Sequence, residues 1–297
     1  MSIKTSFSIK DLENLSGIKA HTIRIWEKRY NLLTPIRTDT NIRTYNVDNL
    51  TKILNISLLN QNGIKISKIA DLSENEINER VRQLILDRSS SDHALNAFKL
   101  SMLNFDQQLF NNTFNQLLAQ QSFREIFLNI ILKFLDDIGH LWTSKTITPS
   151  HEHFVSTLIK QKLLLNIERV QNAELNKTKT MVLFLPMNEI HDLGLLYIHF
   201  ELLIKGYKSV YLGESVPVDN LIELQKVFPE IAFVSYFTVS PPVEDSEVYL
   251  ADMVKHVLND RGEEFHILGR NTRHLDKLRL PDNIKVHENI PEFLKHF

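Results

Sequence analysis

The sequence contains no cysteine, which excludes disulfide bonds, thiolate zinc sites and cysteine nucleophiles and suits a reducing cytoplasm. Glycine and proline are also scarce, with 8 and 9 copies in 297 residues, and 43% of the residues are hydrophobic. That composition is typical of a folded chain. No apolar run approaches the roughly 20 residues that cross a bilayer, and the first residues lack the pattern of a secretory signal. We therefore predict a cytoplasmic protein with no membrane partner.

Charge of one sign is concentrated at one end of the chain. The formal net charge is −2 overall, but residues 1–75 carry eleven Lys and Arg against seven Asp and Glu. This excess permits a nucleic-acid partner without requiring one.

The first 75 residues follow the pattern of a small winged-helix domain. Residues 8–18 begin with a capping Ser, carry apolar residues at helical spacing and end near Gly17, which predicts a short helix. A second helix is predicted over 19–30, so the pair forms a helix-turn-helix. A two-stranded ribbon around the turn TDTN is predicted next. Further helical periodicity covers 46–60 and 64–72.

The remaining sequence predicts a helical domain followed by an α/β domain. Residues 88–172 predict a four-helix bundle, with helices over 93–104, 106–119, 122–141 and 149–170. Residues 178–297 alternate short apolar runs with helical stretches, which predicts a flavodoxin-like, doubly wound parallel sheet. Its five predicted strands are TMVLFLP, KSVYLG, IAFVSYF, EFHILG and NIKVHEN. Linkers are predicted over 87–92 and 171–179.

The stretch HTIRIWEKRYNLLTPIRTDTNIRTY, residues 21–45, spaces cations along the second helix and the ribbon. It resembles the recognition helix and wing of the MerR family of winged-helix transcriptional regulators, and the resemblance covers nearly all of residues 7–70. It implies binding to an operator in double-stranded DNA through phosphates and base edges. The candidate DNA-binding residues are Arg24, Lys28 and Tyr30 on the helix and Arg37, Arg43 and Tyr45 on the wing.

Other features of this stretch suit the interior. Ile23, Ile25 and Trp26 have helical spacing and are expected in the core, because so small a domain needs an aromatic anchor. Glu27 is expected to pair with a nearby cation. A solvated face is the alternative reading of the arginines.

A second group of polar residues follows the first strand of the predicted sheet. Residues 183–194, LFLPMNEIHDLG, place Glu189, His191 and Gly194 at the carboxyl end of that strand, where such sheets bind ligands. The stretch resembles the Asp-x-His-x-x-Gly signature of cobalamin-binding domains, with Glu189 in place of Asp. The resemblance implies that His191 ligates cobalt, that the carboxylate orients its other ring nitrogen, and that Gly194 admits the corrin. Asp192 belongs to the same candidate site.

The predicted bundle carries a companion motif. W142-TSKTITPSH-E152-H153 resembles the Trp-x9-Glu-His motif in the helical cap of cobalamin-dependent MerR-type regulators related to the light sensor of carotenoid synthesis. It implies that Trp142, Glu152 and His153 cover the upper face of the corrin and contact an adenosyl group, so adenosylcobalamin is the expected cofactor. A core aromatic at the end of the bundle is the alternative for Trp142. Light sensing stays open, because Thr143 stands where light-sensing relatives tend to have His.

The resemblance also implies a groove for the displaced nucleotide tail of cobalamin, along strands one, three and four of the sheet. Ser235, Thr238 and Ser240 supply hydroxyl groups after the third strand. Gly269 stands alone where a Gly-Gly pair is usual, which narrows the space for close backbone approach. His140 and His151 match no role and are expected at the surface.

Together these features predict a transcriptional regulator without enzymatic turnover. Adenosylcobalamin would change its oligomeric state, a dimer or a tetramer, and so bring several DNA-binding domains onto one operator. One alternative is a regulator whose sensing domain responds to another ligand or to a protein partner, because Glu189 and Gly269 depart from the pattern. A corrinoid-carrying methyltransferase shares the bundle and the sheet, but the DNA-reading segment argues against it.

Overall fold

The computed structural model describes residues 6–38, 40–87, 91–172, 174–258, 262–275 and 279–297. Contacts divide the chain into two compact units, Met1–Leu158 and Ile159–Phe297. The predicted division into domains at 1–75, 88–172 and 178–297 is finer and stays a prediction. The predicted linkers include residues 88–90 and 173, which lie outside the described ranges.

The first unit begins with the predicted helix-turn-helix. Ser8 caps helix α1 (Ile9–Ser16), because its hydroxyl accepts from the Asp11 backbone N–H and the Asp11 carboxylate accepts from the Ser8 N–H. The helix ends at Gly17, whose φ of 73° lies in the left-handed region that glycine reaches without strain. Helix α2 (Ala20–Tyr30) follows directly.

The wing differs from the prediction by one strand. It is an antiparallel sheet in the order β1 (Phe7–Ser8), β3 (Arg43–Tyr45) and β2 (Ile36–Arg37), whereas the sequence predicts only the two-stranded ribbon. A strand of two residues is too short to show an alternating pattern. Three helices follow: α3 (Val47–Gln61), α4 (Ile66–Ala70) and α5 (Glu74–Asp87). The sequence analysis missed α5.

The four predicted bundle helices are present. They are α6 (Ser91–Asn104), α7 (Gln107–Leu118), a third helix composed of α8 (Phe123–Ile126), a π-helical turn (Phe127–Ile131) and α9 (Leu132–Thr143), and α10 (Pro149–Val170). Aromatic side chains hold the interior together, with the Phe98 ring 4.9 Å from that of Phe110 and 5.6 Å from that of Phe134.

The second unit is the predicted flavodoxin-like fold. Its five parallel strands lie in the order β5 (Lys208–Gly213), β4 (Thr180–Phe184), β6 (Ile231–Tyr236), β7 (Glu264–Leu268) and β8 (Ile284–Val286). Its α-helices include α11 (Leu193–Ile204), α12 (Asp219–Ile222), α13 (Leu224–Val227), α14 (Ser246–His256) and α15 (Ile290–His296). The strand order reverses between β4 and β6, so a ligand crevice is expected beyond their carboxyl ends.

The most apolar elements of this unit lie in its interior. Every residue of β4 is buried, and the Phe184 ring stacks 5.9 Å from that of Phe265 on β7. Helix α11 is apolar on most of its surface because it is itself largely buried. In the described part of the chain, no helix has both the length and the apolar character that crossing a membrane requires.

One partly buried histidine makes the stability of this unit depend on pH. Burial lowers the pKa of His199 from 6.5 to about 4, and its Nδ1 lies 2.8 Å from the Ser209 hydroxyl. The fold therefore keeps this imidazole neutral where the unfolded chain would protonate it. Its contribution to stability is complete above pH 6.5 and is lost as the pH falls toward 4.

We expect His199→Gln, which can retain the bond to Ser209, to flatten the loss of unfolding free energy between pH 6.5 and 4. One proton accounts for up to about 1.4 kcal/mol per pH unit. Urea titrations at a series of pH values measure this slope. His153→Gln removes an exposed imidazole and is the matched control. A His199→Gln profile as steep as that of the wild type would contradict the assignment.

Candidate functional site

A single buried carboxylate organises the turn that follows β4. Glu189 is fully buried. Its Oε1 accepts from the backbone N–H groups of Ile190 and His191, each at 3.0 Å, and lies 2.6 Å from Nδ1 of the His191 ring. Its Oε2 accepts from three backbone N–H groups beyond β6: those of Thr238 at 3.0 Å, Val239 at 2.6 Å and Ser240 at 2.9 Å.

These contacts fix both the charge of Glu189 and the orientation of His191. Burial opposes ionisation, but the hydrogen bonds from His191, Val239 and Ser240 outweigh it and lower the pKa of Glu189 to about 2. The ionised carboxylate can only accept, so Nδ1 of His191 donates to it. In the neutral ring, Nε2 then carries the lone pair. An imidazole held through one nitrogen, with a side chain 39% exposed, is arranged as metal-ligating histidines are.

The predicted site residue Asp192 has a different role. It is buried, its Oδ2 lies 2.6 Å from Nζ of Lys160, and it accepts from the Tyr211 hydroxyl at 2.9 Å. Lys160 also reaches Glu214 at 3.1 Å. Burial opposes the charge of Lys160, but these carboxylates outweigh it and raise its pKa. Asp192 therefore anchors helix α10, a contact that its position in the motif does not reveal.

Two residues of the predicted groove for the nucleotide tail lie close to other parts of the protein. A Cβ added to Gly194, in the first turn of α11, would lie 2.9 Å from the ring of Tyr236. Ser235 is fully buried, and its hydroxyl donates to the Phe184 carbonyl at 2.8 Å. The predicted roles of both residues toward cobalamin stay predictions. The sequence analysis did not single out Tyr236.

Two further groove residues also have structural roles. Gly269 has a φ of 113°, and an added Cβ would lie 2.3 Å from the Phe237 carbonyl oxygen, so this glycine serves close packing of two backbone segments. Thr238 contacts Glu189 through its backbone N–H. Both residues thus contact neighbouring protein segments, and their place in a nucleotide-tail groove stays a prediction.

The cap residues belong to the other compact unit. Trp142 lies near the end of α9 and is 45% exposed, which argues against its alternative reading as a core aromatic. Glu152 is half-buried and His153 exposed in the first turn of α10. The prediction of a surface position is wrong for His151, which is 1% exposed and stacks on Phe105 with ring centroids 4.9 Å apart. His140 is exposed as predicted.

The candidate DNA-binding helix has two distinct faces. Ile23 and Trp26 are buried as predicted. Ile25 is 53% exposed, so its predicted core position is wrong. Tyr30 is half-buried beneath the Arg29 guanidinium, at 5.4 Å from the ring centroid. The outward face combines cations with one apolar side chain: Arg24, Ile25, Lys28 and Arg29.

The residues of the wing that are predicted to contact DNA differ in their exposure. Arg37 is exposed, as a contact to phosphate requires. Tyr45 is 1% exposed and its hydroxyl donates to Glu27, so the prediction that it contacts DNA does not agree with its position in the core. Nε of Arg43 lies 3.2 Å from the same carboxylate, which confirms the predicted pairing of Glu27 with a cation. These three residues join the wing to α2.

Comparison with known proteins identifies both functional regions. Residues 7–76 match the family described as MerR HTH family regulatory protein, and residues 94–165 match the family described as B12 binding domain. The chain therefore combines a region that matches MerR HTH regulatory proteins with a B12 binding domain, which is the organisation of a transcriptional regulator. This regulator is 28% identical over 223 residues to the HTH-type transcriptional repressor CarH of Myxococcus xanthus, covering 73% of each chain.

A further relative and a solved structure are also similar to the chain. The HTH-type transcriptional repressor CarA of Myxococcus xanthus is 24% identical over 249 residues, which cover 81% of the regulator and 80% of CarA. The monomethylamine corrinoid protein of Methanosarcina barkeri has a TM-score of 0.54 and 14% identity, over 75% of the regulator and 98% of that chain. At this identity the likeness shows the fold alone.

The role of Glu189 can be tested without any ligand. In Glu189→Gln the amide NH2 replaces one acceptor oxygen, so N–H donors on one side of the residue lose their partner. We expect the free energy of unfolding at neutral pH to fall by about 2–4 kcal/mol. Glu189→Asp keeps the charge, but its side chain is one methylene shorter and should lose the hydrogen bonds to one of the two loops. Urea unfolding measures both, with the exposed Glu223→Gln as control. A Glu189→Gln protein as stable as wild type would refute this role.

The DNA surface can be tested on random-sequence duplex, because non-specific binding depends mainly on phosphate contacts. We expect Arg24→Ala to weaken binding and to reduce the slope of log K against log salt by about 0.9, the share of one phosphate. Tyr45→Phe should leave that slope unchanged and lower the unfolding free energy by about 1 kcal/mol, since it removes a bond to Glu27. Fluorescence anisotropy at several salt concentrations measures the slopes. Lys226→Ala removes an exposed cation from the other unit and is the control. An unchanged Arg24→Ala slope would remove that residue from the interface.

Proposed function

We propose that the regulator senses adenosylcobalamin, with Nε2 of His191 as the protein ligand of cobalt. The observation that carries the proposal is the bond between Nδ1 of His191 and the buried, ionised Glu189 carboxylate. This bond holds the ring at the switch in strand order, where doubly wound sheets bind ligands. If cobalamin bound there, His191 would hold its cobalt, and the cofactor would supply a metal centre that an imidazole can ligate.

The substitution of Glu for the usual Asp is compatible with this role. The carboxylate still contacts the histidine, and its second oxygen ties the histidine turn to the loop beyond β6. A ligand that pulls on His191 would therefore also strain residues 238–240. Trp142, Glu152 and His153 are proposed to cover the opposite face of the corrin, on the strength of the cap motif and the exposure of Trp142.

We further propose that cofactor binding changes the oligomeric state of the chain, with a dimer or a tetramer as the assembly. Helix-turn-helix domains usually bind two half-sites as a dimer, and linking several such domains raises their effective concentration at one operator. The relatives CarH and CarA are described as repressors, which favours repression and a role without enzymatic turnover. The cofactor must bind one assembly better than the other for such a switch to operate.

A second candidate function rests on the groove. The ring of Tyr236 packs against Gly194, and the Ser235 hydroxyl is bonded to the Phe184 carbonyl, which favours a sheet edge that does not take up a nucleotide tail. A regulator with this groove closed would respond to another ligand or to a protein partner through the same sheet. Rotation of Tyr236 away from Gly194 would reopen the groove and restore the first proposal.

Reconstitution with adenosylcobalamin in the dark distinguishes the two candidates. We expect wild type to carry the corrin absorbance through gel filtration and His191→Ala to lose it, because the protein ligand of cobalt is gone. Gel filtration of the same samples reports the oligomeric state. His153→Ala, which leaves His191 intact, should weaken retention less.

If cobalamin elutes apart from the wild type but is retained by Tyr236→Ala, the Tyr236 side chain prevents cobalamin binding in the wild type. The second candidate is then favoured. Equal retention by wild type and His191→Ala would remove the assignment of His191 as the cobalt ligand.

A further inference from the structure

A second Glu-x-His sequence lies on β7, in a separate group of polar side chains. Glu264 and His266 are two residues apart on this strand and so share one face of the sheet. His296 approaches them from α15. The potential ligand atoms of Glu264, His266 and His296 all lie within 4.8 Å of one another. Two chain segments thus bring two imidazoles and a carboxylate together.

The central histidine has an unused nitrogen. His266 is fully buried, and among the described residues its Nε2 has no hydrogen-bond partner, with the nearest Glu264 oxygen 3.7 Å away. Its Nδ1 lies 2.9 Å from Nε2 of His287, whose ring stacks on it at 5.2 Å. In the tautomer in which Nδ1 donates to His287, the buried Nε2 presents its lone pair toward the cluster. A buried acceptor without a donor is costly, and a metal ion would satisfy it.

We propose that Glu264, His266 and His296 form a binding site for a divalent transition metal ion of the Zn²⁺ class. Two imidazoles and one carboxylate form a ligand set common for zinc, with a fourth position left for water. His287 would hold the other nitrogen of the central ligand, as supporting groups do in metal sites. The site is independent of His191 and of any corrin.

Two lysine ammonium groups already lie against the proposed ligands. Lys179 lies 2.5 Å from Oε2 of Glu264, and Lys285 contacts the other oxygen of this carboxylate. Nζ of Lys285 also lies 3.3 Å from Nε2 of His296, so one ammonium already bridges two of the three proposed ligands. Both lysine side chains are about one-third exposed, at 36% and 32%.

Such partly exposed ion pairs contribute little stability, so the ammonium groups can turn into solvent when a metal ion enters. A bound ion would join β7 to α15.

The test uses the full-length chain without a polyhistidine tag, stripped with a chelator and free of cobalamin. Isothermal titration with Zn²⁺ is expected to show one saturable site, and thermal unfolding should shift upward with added Zn²⁺. His296→Ala alters an exposed side chain and should therefore fold normally. It should weaken Zn²⁺ binding at least tenfold and abolish the thermal shift.

Two controls locate the ion. His256→Ala removes another partly exposed histidine that pairs with a carboxylate, Asp252, and should bind Zn²⁺ like wild type. His191→Ala should also bind normally, whatever its effect on cobalamin. Absence of saturable binding to wild type, equal binding by His296→Ala, or loss of binding in His191→Ala would each overturn the proposal.

Discussion

The second unit depends on one buried negative charge. Glu189 sits at the point where strand order reverses, and its two oxygens accept hydrogen bonds from two loops that are about fifty residues apart in sequence. A buried carboxylate is tolerated only when donors surround it, so the loops must keep this arrangement for the unit to stay folded. The position of His191 is therefore a consequence of stability. The same hydrogen bonds that keep the carboxylate ionised also hold the imidazole.

Most of the fold could be predicted because periodicity and capping act locally. The capping Ser8, the stop at Gly17, the four bundle helices and the five strands all follow from residues near one another in sequence. Predictions failed for residues whose position depends on a partner that is distant in sequence. Tyr45 has the chemistry of a DNA contact, but Glu27 binds its hydroxyl in the core. Strand β1 and helix α5 were missed. Strand β1 has only two residues and is too short to show an alternating pattern.

The candidate site shows the same division. The Glu189 to His191 contact could be predicted, because both residues lie in one turn. The contact between Tyr236 and Gly194 could not, because Tyr236 comes from another strand and meets Gly194 only in the folded unit. A glycine indicates close approach by something, but the sequence does not say whether a cofactor or a side chain approaches. Asp192 is similar, since its partners Lys160 and Tyr211 come from distant elements.

The two Glu-x-His sequences differ in how firmly their carboxylates are held. Glu189 lies in a turn, so backbone N–H groups surround it and its partner ring has one fixed orientation. Glu264 lies in a strand whose N–H groups serve the sheet, and side chains of two partly exposed lysines neutralise it instead. Backbone donors cannot leave, whereas lysine side chains can exchange with another cation. The first arrangement therefore positions a ligand rigidly, and the second accepts an ion at the cost of two weak surface ion pairs.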